Sequence, residues 1–268
     1  MAAQTLNAGT TLPPPGAPVA PKAYPRFLPV GDAALSVEFG DAINPDLNAR
    51  VVALDIALAA AEIDGIIETV PSYRSLLICY DPVLLSWRQL AMKIRRLLEG
   101  RLLEDDTGTG MPRAAAVTWS VPVVYGPPYG DDLPEVAARL AMPEAEIIRI
   151  HSGAEYLVYM VGFAPGLPYM GPLPDTLHIS RRQSPRPSVP AGAVMIGGMQ
   201  AGIVPMPVPS AWYMLGRTPL RLFDLSRHDP FLVRAGDRVR FRRIDAAEFE
   251  RLAALDPDLL LPQARTPP

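Results

Sequence analysis

Glycine, proline, aromatic residues and arginine are concentrated in one stretch of the chain, residues 156–219. Proline fixes φ and lacks an N–H donor, whereas glycine tolerates positive φ, so a stretch rich in both cannot form a long regular helix. It predicts short strands joined by shaped loops. Because loops held on a rigid scaffold often carry binding residues, we expect the functional site in this stretch.

Short strands dominate the second half of the chain. Strand candidates with glycine or proline between them follow at close spacing, at residues 156–161, 189–196, 201–204, 211–215, 220–224 and 238–243. This spacing is typical of a closed or nearly closed β-barrel. Two short helices are predicted at residues 132–140 and 143–151, and a last one at 245–255. We assign the barrel domain to residues 114–255.

The first half of the chain alternates pairs of strands with single helices. Leu35, Val37 and Phe39 alternate with polar residues, which is typical of a strand with one buried face. Asn44 and Ser86 each stand where an N-cap is expected, before an apolar stripe of helical spacing. The order β-β-α-β-β-α predicts an antiparallel sheet with both helices on one face, a compact α+β domain that resembles a ferredoxin-like sandwich.

The predicted domain boundaries follow changes in composition. The sandwich is assigned to residues 25–101. Residues 1–24, rich in Ala, Thr, Gly and Pro, are expected to form a disordered leader. The polar, glycine-containing residues 102–113 are predicted to be a linker, and residues 256–268 a frayed tail.

Composition argues against several classes of function. The net charge is −3, so no basic surface for nucleic acid is indicated. The one cysteine, Cys79, lies in an apolar run and the three histidines are widely spaced, so neither a disulfide nor a metal site is expected. No apolar run approaches the roughly 20 residues that span a bilayer, and the N-terminus lacks the pattern of a secretory signal. We therefore expect a cytoplasmic protein that binds no metal, nucleic acid or membrane.

Two common catalytic motifs are missing from the sequence. The pattern GxxxxGK[ST] is absent, and the pair Gly197-Gly198 is not followed by a helix-opening Gly-Lys. The nucleophile elbow GxSxG is also absent. We therefore expect neither a phosphate-binding loop nor a serine-hydrolase triad in this chain.

Four polar residues each have a structural and a functional explanation. His151 ends a predicted helix, where it could stabilise the helix C-terminus or act as an acid, base or donor at a pocket mouth. Arg186 and Arg217 lie in loops, where each could pin loop carbonyls or bind a carboxylate or phosphate. Gln200 could satisfy backbone groups of the barrel or bind an amide.

Aromatic residues flanked by glycine and proline are candidates for the walls of a pocket. Phe163, Tyr169 and Trp212 could belong to the barrel core, but their neighbours favour a concave, mostly apolar binding site. With Pro165 and Gly166 of the same stretch, they form the predicted substrate-binding set.

Five blocks of sequence occur in the order and at the spacing of a known family. They are FLPVGDAALSVEFG at 27–40, VPSYRSL at 70–76, a match to GFxPGFxYL at 162–170, a match to PRxxVPAGSV at 185–194, and GRTP at 216–219. These blocks resemble the 5-oxoprolinase B-subunit family, which is also called KipI or allophanate hydrolase subunit 1. The resemblance extends over about residues 25–243.

The family resemblance implies a ferredoxin-like domain followed by a cyclophilin-like β-barrel. It also implies one component, inactive alone, of an ATP-dependent 5-oxoprolinase that converts 5-oxo-L-proline to L-glutamate together with an A subunit and a KipA-like C subunit. ATP is expected on the complex, since this chain has no P-loop. Donors would stabilise an oxyanion or a phosphorylated intermediate, and the predicted catalytic residues are His151, Arg186, Gln200 and Arg217.

Some residues depart from the family pattern. Leu167 replaces the second Phe of GFxPGF, Met170 replaces Leu, and Ser210-Ala211 replaces two glycines before Trp212. These changes fall on the expected pocket walls, so another lactam or a urea-like amide is an alternative substrate. Two alternative functions are a KipI-type inhibitor of a histidine kinase and the carboxyltransferase half of a biotin-dependent urea or allophanate system.

Overall fold

The computed structural model of this 268-residue chain describes residues 23–103, 117–255 and 265–266. Most of the predicted leader, residues 104–113 of the predicted linker and all but two residues of the predicted tail lie outside the described residues. None of the described helices is long and apolar enough to cross a membrane.

The first domain is an antiparallel sheet covered on one face by two helices. Its elements in chain order are β1 (Arg26–Val30), β2 (Ala34–Glu38), α1 (Pro45–Ala61), β3 (Ile66–Pro71), β4 (Ser75–Tyr80) and α2 (Trp87–Leu103). The strand order is β1-β2-β4-β3, and each neighbouring pair is antiparallel. The elements follow the predicted order, and α2 continues into the first two residues of the predicted linker.

Alternation and helix capping account for this domain. Leu35 and Val37 of β2 are 0% exposed and pack in the core beneath the helices. The Asn44 side chain accepts hydrogen bonds from two N–H groups of the first turn of α1. At the start of α2, Gln89 Oε1 accepts a hydrogen bond of 2.9 Å from the Ser86 N–H. Both predicted N-caps are therefore confirmed.

The second domain is a closed β-barrel. Its elements are β5 (Thr118–Tyr125), α3 (Leu133–Leu140), α4 (Glu144–Gly153), β6 (Glu155–Val161), β7 (Pro168–Gly171), a 3₁₀ turn (Asp175–Leu177), β8 (Arg186–Val189), β9 (Ala193–Gly197), β10 (Gln200–Ile203), β11 (Val208–Ser210), β12 (Tyr213–Arg217), β13 (Arg238–Arg243), α5 (Ala246–Ala253) and β14 (Arg265–Thr266). Seven strands form the ring β12-β9-β10-β7-β6-β13-β5, and β5 pairs with β12 to close it. β13 and β5 are parallel, whereas the other neighbours in the ring are antiparallel.

The predicted α+β fold class, a sandwich followed by a barrel, is confirmed. One predicted strand, at 220–224, is instead a loop joined to the barrel core by its side chains. Leu220 and Leu222 are buried there, and the Leu222 carbonyl accepts a hydrogen bond of 2.9 Å from the Leu232 N–H. The apolar alternation in this segment therefore reflects burial without strand pairing in the ring.

The two faces of the barrel wall have different neighbours. On β9, Val194 and Ile196 point into the main core, as expected for alternate residues of a strand. Met195 faces the other way and packs with Trp212 and Met214 in a second apolar cluster. This outer cluster includes residues of β8 and β11, which form a separate two-stranded ribbon. The ribbon and the barrel wall together create a recess on the outside of the barrel.

Candidate functional site

A cavity of about 200 Å³ lies in this recess. It is lined by Phe163, Leu167, Tyr169, Arg181, Met195 and residues 208–212. The loop between β6 and β7 forms one side, and the end of the β8–β11 ribbon forms the other. Its walls are mainly apolar and aromatic, which is typical of a site for a small organic ligand.

Two glycines of the barrel wall determine the position of the Trp212 ring. A Cβ atom on Gly197 would lie 2.7 Å from Trp212 Cγ, and a Cβ atom on Gly202 would lie 3.1 Å from Cζ3. The indole can therefore lie against the wall only because these positions lack side chains. Tyr169 meets it edge to face, with ring centroids 5.7 Å apart.

The pair Gly197-Gly198 lies in a hairpin between two strands. Gly198 has φ +64° and forms the tight turn of the β9–β10 hairpin. A phosphate loop leads from a strand into a helix, whose N-terminal N–H groups hold the anion. The Gly197-Gly198 pair therefore serves hairpin geometry and the packing of Trp212.

Phe163 stands at the edge of the cavity in an unfavourable backbone conformation. Its φ is +67°, a region that side chains other than glycine, asparagine and aspartate rarely adopt, and the residue is 72% exposed. Gly166, in the same loop, lies so close to Phe223 that an added Cβ would be 2.9 Å from the Phe223 Cβ. The neighbouring loop thus supports this one, which presents an aromatic ring to solvent beside the cavity.

Arg181 is the charged residue among the cavity-lining residues. Its guanidinium lies 5.7 Å from the centroid of the Trp212 ring. In the part of the chain that the structure describes, no carboxylate forms an ion pair with it. Burial raises the pKa of Tyr169, and the positive charge of Arg181 partly offsets that rise.

Arg186, a predicted catalytic residue, is held in an ion-pair cluster at the start of α3. The cluster centres on Asp132, which is 2% exposed. Its Oδ1 accepts hydrogen bonds from Arg186 and, at 2.9 Å, from Arg182, while its Oδ2 accepts one of 2.8 Å from the Met214 N–H. The cluster attaches the segment carrying the arginines to the barrel, and Arg186 is not among the lining residues of the cavity.

Of the two roles considered for Arg217, contact with loop carbonyls and binding of an anion, the structure shows the first. Its Nε donates a hydrogen bond of 2.9 Å to the carbonyl of Ala191, so it pins the loop between β8 and β9. Gly192 in that loop has φ +81°, and an added Cβ would lie 2.3 Å from the Thr218 carbonyl oxygen. The arginine and the glycine thus hold two loops together away from the cavity lining.

His151 lies in the barrel core. It is 0% exposed, its ring stacks on Phe241 with centroids 4.6 Å apart, and its Nδ1 shares a hydrogen bond of 2.9 Å with the Tyr125 hydroxyl. The Tyr156 hydroxyl donates to the His151 carbonyl at 3.0 Å. Burial lowers the pKa of His151 to about 3, so the ring is neutral near pH 7.

Gln200 connects the barrel to the first domain. Its Nε2 donates a hydrogen bond to the hydroxyl of Tyr73, in the turn between β3 and β4. The Tyr73 ring packs against Tyr159 and Tyr169, with centroid distances of 5.2 and 6.5 Å. Asn48 of α1 donates to the Tyr159 carbonyl at 3.0 Å. The first domain therefore supports Tyr169, a wall of the cavity, from behind.

The structure brings together part of the predicted site. Phe163, Tyr169 and Trp212 line one cavity, and Pro165 and Gly166 belong to the loop that forms its edge. The four predicted catalytic residues are not among the lining residues, and they are His151, Arg186, Gln200 and Arg217. No group of three or more His, Cys, Asp or Glu side chains among the described residues could hold a metal ion.

Two residues of the site were not singled out from the sequence. Arg181 looks equivalent to its neighbours Arg182 and Arg186 until their acidic partners are known. Tyr73 occurs in the block VPSYRSL, which resembles the family. In the structure it lies at the boundary between the two domains, and its contacts there give this block a structural role. The sequence signal that points to Tyr73 is an aromatic residue in a turn, because such a ring needs a packing partner elsewhere in the protein.

Comparison with known proteins identifies relatives over most of the chain. Residues 25–233 match the family model described as carboxyltransferase domain, subdomain C and D. The 5-oxoprolinase B subunit of Bacillus subtilis (strain 168) is 37% identical over 227 residues, which is 82% of this chain and 93% of that protein. The 5-oxoprolinase B subunit of Escherichia coli O157:H7 is 50% identical over 121 residues, which is 45% of this chain and 56% of that protein.

Solved structures support the same relationship. TTHA0988 superposes with a TM-score of 0.69 and 36% identity over 80% of this chain, and this chain spans 40% of its length. The urea amidolyase of K. lactis superposes with a TM-score of 0.64 over 84% of this chain and 15% of its own. At 17% identity, the second likeness concerns the fold alone.

Proposed function

The chain belongs to the 5-oxoprolinase B-subunit family, with carboxyltransferase subdomains C and D, and we propose that it is one component of an ATP-dependent 5-oxoprolinase. The proposed reaction is hydrolysis of the lactam bond of 5-oxo-L-proline to give L-glutamate. The proposed partners are a KipA-like C subunit and an A subunit. The relatives named as B subunits of 5-oxoprolinase and the aromatic cavity support this proposal.

The observation that carries the proposal is the size and lining of the cavity. About 200 Å³ is suited to a single small ring, and Tyr169 and Trp212 offer flat apolar surfaces to it. The Trp212 N–H of the backbone donates to the Ser210 hydroxyl at 3.1 Å, which fixes the adjoining segment. Such a site can hold and orient a lactam ring.

The lining also indicates why the chain would need partners. Its lining residues include one arginine and no histidine, cysteine or carboxylate. A lactam is stabilised by amide resonance, so its hydrolysis requires an activated water and a stabilised carbonyl oxygen. We assign those groups to the partner proteins, with the cavity positioned at the boundary where they meet this chain.

ATP is also assigned to the complex. The glycine pair Gly197-Gly198 forms a hairpin turn beneath Trp212, and it offers no helix N-terminus to a phosphate. The described residues of this chain therefore do not fit the phosphates of a nucleotide at that pair. We therefore assign ATP binding to a partner subunit.

Reconstitution tests the proposal. The chain is co-expressed with the A and C subunits from the same organism, and ATP hydrolysis that depends on 5-oxo-L-proline is measured. We expect turnover with all three proteins and none when this chain is omitted. No turnover on 5-oxoproline or any other lactam, together with stable binding of a histidine kinase domain, would support a KipI-type inhibitor instead. Turnover that requires a biotin carrier would support a carboxyltransferase half.

A further inference from the structure

We propose that Arg181 is the specificity residue of the cavity, and that it binds the carboxylate of a small ring ligand whose ring lies against Tyr169 and Trp212. The identity of the ligand as 5-oxo-L-proline rests on the proposed function. The requirement for a carboxylate rests on the cavity itself, through its contacts, its charges and its fixed geometry.

Three arginines lie within six residues, and their partners differ. Arg182 binds Asp132 at 2.9 Å and Glu135 at 2.9 Å. Arg186 also binds Asp132. Arg181 has no acidic partner among the residues that the structure describes. The positive charge of Arg181 is therefore left for a ligand, whereas those of its neighbours are neutralised within the fold.

The place of Arg181 suits an anion at the mouth of an apolar cavity. The side chain lines the cavity together with aromatic and aliphatic residues. Its guanidinium is 5.7 Å from the Trp212 centroid, so a carboxylate bound to it would sit beside the indole face. A guanidinium offers a planar pair of donors that matches a carboxylate, and contact with an aromatic ring orients that plane.

The backbone next to Arg181 is fixed before any ligand arrives. The Arg182 N–H donates a hydrogen bond of 2.8 Å to the Ala211 carbonyl, directly beside Trp212. The Arg182 side chain is held by Asp132 and Glu135 on α3. Ile179 pairs with Gly198 as an isolated β-bridge on the other side. The backbone that carries Arg181 is therefore ordered before a ligand binds, so that only the Arg181 side chain has to be fixed on binding.

The same arrangement predicts what the cavity rejects. A neutral ligand such as urea or a simple lactam would leave Arg181 without an anionic partner and would gain only the contacts of its ring. A ring that carries a carboxylate gains a charge-assisted bond as well, which is the stronger kind of hydrogen bond. The site therefore favours 5-oxoproline over the urea-like amides considered from the sequence.

Calorimetric titration tests this assignment on the full chain and on the complex with its partner proteins. The probes are 5-oxo-L-proline and 2-pyrrolidinone, which is the same ring without the carboxylate. We expect Arg181→Gln to weaken 5-oxoproline binding by about 10- to 100-fold and to leave the affinity for 2-pyrrolidinone unchanged. Arg181→Lys retains the charge without the planar pair of donors and should recover part of the loss.

A matched control exists in the first domain. Arg88 lies over Trp87, 5.3 Å from the ring centroid, and is exposed. Arg88→Gln makes the same change in net charge and removes the same kind of aromatic contact away from the cavity. It should alter neither affinity. Equal weakening by Arg88→Gln would attribute the effect to net charge and overturn the assignment.

The outcomes separate this inference from the proposed function. If the complex turns over 5-oxoproline and Arg181→Gln leaves its KM unchanged, the inference fails and the function stands. If ring carboxylates bind through Arg181 but the complex shows no turnover on 5-oxoproline, the function fails and the inference stands. If neither the chain nor the complex binds 5-oxoproline or any other ring carboxylate, the inference is overturned.

Discussion

The Gln200 side chain of the barrel donates a hydrogen bond to the Tyr73 hydroxyl of the sandwich. This contact joins the two domains directly behind the cavity, because Tyr73 also packs against Tyr169. The sequence predicts a catalytic role for Gln200, whereas in the structure its side chain contacts the other domain. A role in positioning Tyr169 follows from these contacts.

A double-mutant cycle can measure the energy of this contact. Tyr73→Phe removes the hydroxyl and leaves the Gln200 amide without that partner. We therefore expect the free energy of unfolding to fall by about 1 kcal/mol. Gln200→Ala should cost a similar amount, and the double variant should cost less than the sum. Urea denaturation of all four proteins gives the coupling energy. Strict additivity would show that the two side chains do not stabilise each other.

The second prediction concerns the buried carboxylate of the arginine cluster. Asp132→Ala leaves Arg182 and Arg186 without their shared partner, and breaking a buried pair in this way costs about 3–5 kcal/mol. Equilibrium urea denaturation measures the loss. The control is Glu146→Ala, which removes an exposed pair with Arg149 on α4 and should produce no measurable change.

The Asp132 variant should also disturb the cavity, since the same cluster holds the segment that carries Arg181. A stability loss for Asp132→Ala as small as that of Glu146→Ala would contradict the cluster's structural role. A large loss would mean that an Arg186 variant has to be checked for folding before lower activity is attributed to a catalytic role.

The third prediction is a pH dependence of stability caused by His151. Its folded pKa of about 3 lies below the ordinary value of 6.5 because the ring is buried. The folded state therefore binds fewer protons between these two values. This contribution to stability is fully present above pH 6.5 and is lost progressively as the pH falls toward 3. One proton corresponds to a slope of about 1.4 kcal/mol per pH unit.

His151→Leu isolates this slope. The variant should be less stable at pH 7, because the Tyr125 hydroxyl loses its partner, but its stability should fall less steeply between pH 6.5 and 4.5. Urea denaturation at several pH values compares the two proteins. His228→Leu, at an exposed position, is the matched control and should keep the wild-type slope. Identical slopes for His151→Leu and wild type would contradict the buried, neutral state of this histidine.

The fourth prediction concerns the wall behind Trp212. Gly197→Ala would bring a Cβ within 2.7 Å of Trp212 Cγ, so the ring must move, at a cost of about 1–3 kcal/mol. Thermal unfolding measures the cost, and titration with 5-oxoproline measures the effect on the cavity. Gly153→Ala is the control, because a Cβ there would meet no atom within 4 Å. Wild-type stability and affinity of Gly197→Ala would contradict this prediction, because they would show that the Trp212 ring can move away from the added methyl group at no cost.

Local chemistry explains why much of the fold could be predicted from the sequence. The caps at Asn44 and Ser86 act on the first turns of their own helices, and both form. The alternation of Leu35 and Val37 marks a strand with one buried face, and these side chains lie in the core. The segment 220–224 also alternates, yet it is a loop, because alternation reports burial and cannot show whether a neighbouring strand is present.

The candidate site was predictable in part. Glycine and proline around Phe163, Tyr169 and Trp212 marked loops and turns, and the three side chains line one cavity. The location of His151 could not be predicted in this way, because the same local sequence at a helix end is compatible with a pocket mouth and with a core. Its burial depends on Phe241 and Tyr125, which are distant in the chain.

The two-domain α+β architecture, the helix caps and the glycine-rich, aromatic character of the site can be predicted from the sequence, because each depends on residues close together in the chain. Which arginine is available to a ligand cannot be predicted in this way, because it depends on contacts made by the fold. Arg181 and Arg182 are adjacent, and their difference arises from Asp132, 50 residues from Arg182 along the chain and 2.9 Å away in space. Neutralisation of a charge depends on distance in three dimensions, which sequence neighbours do not reveal.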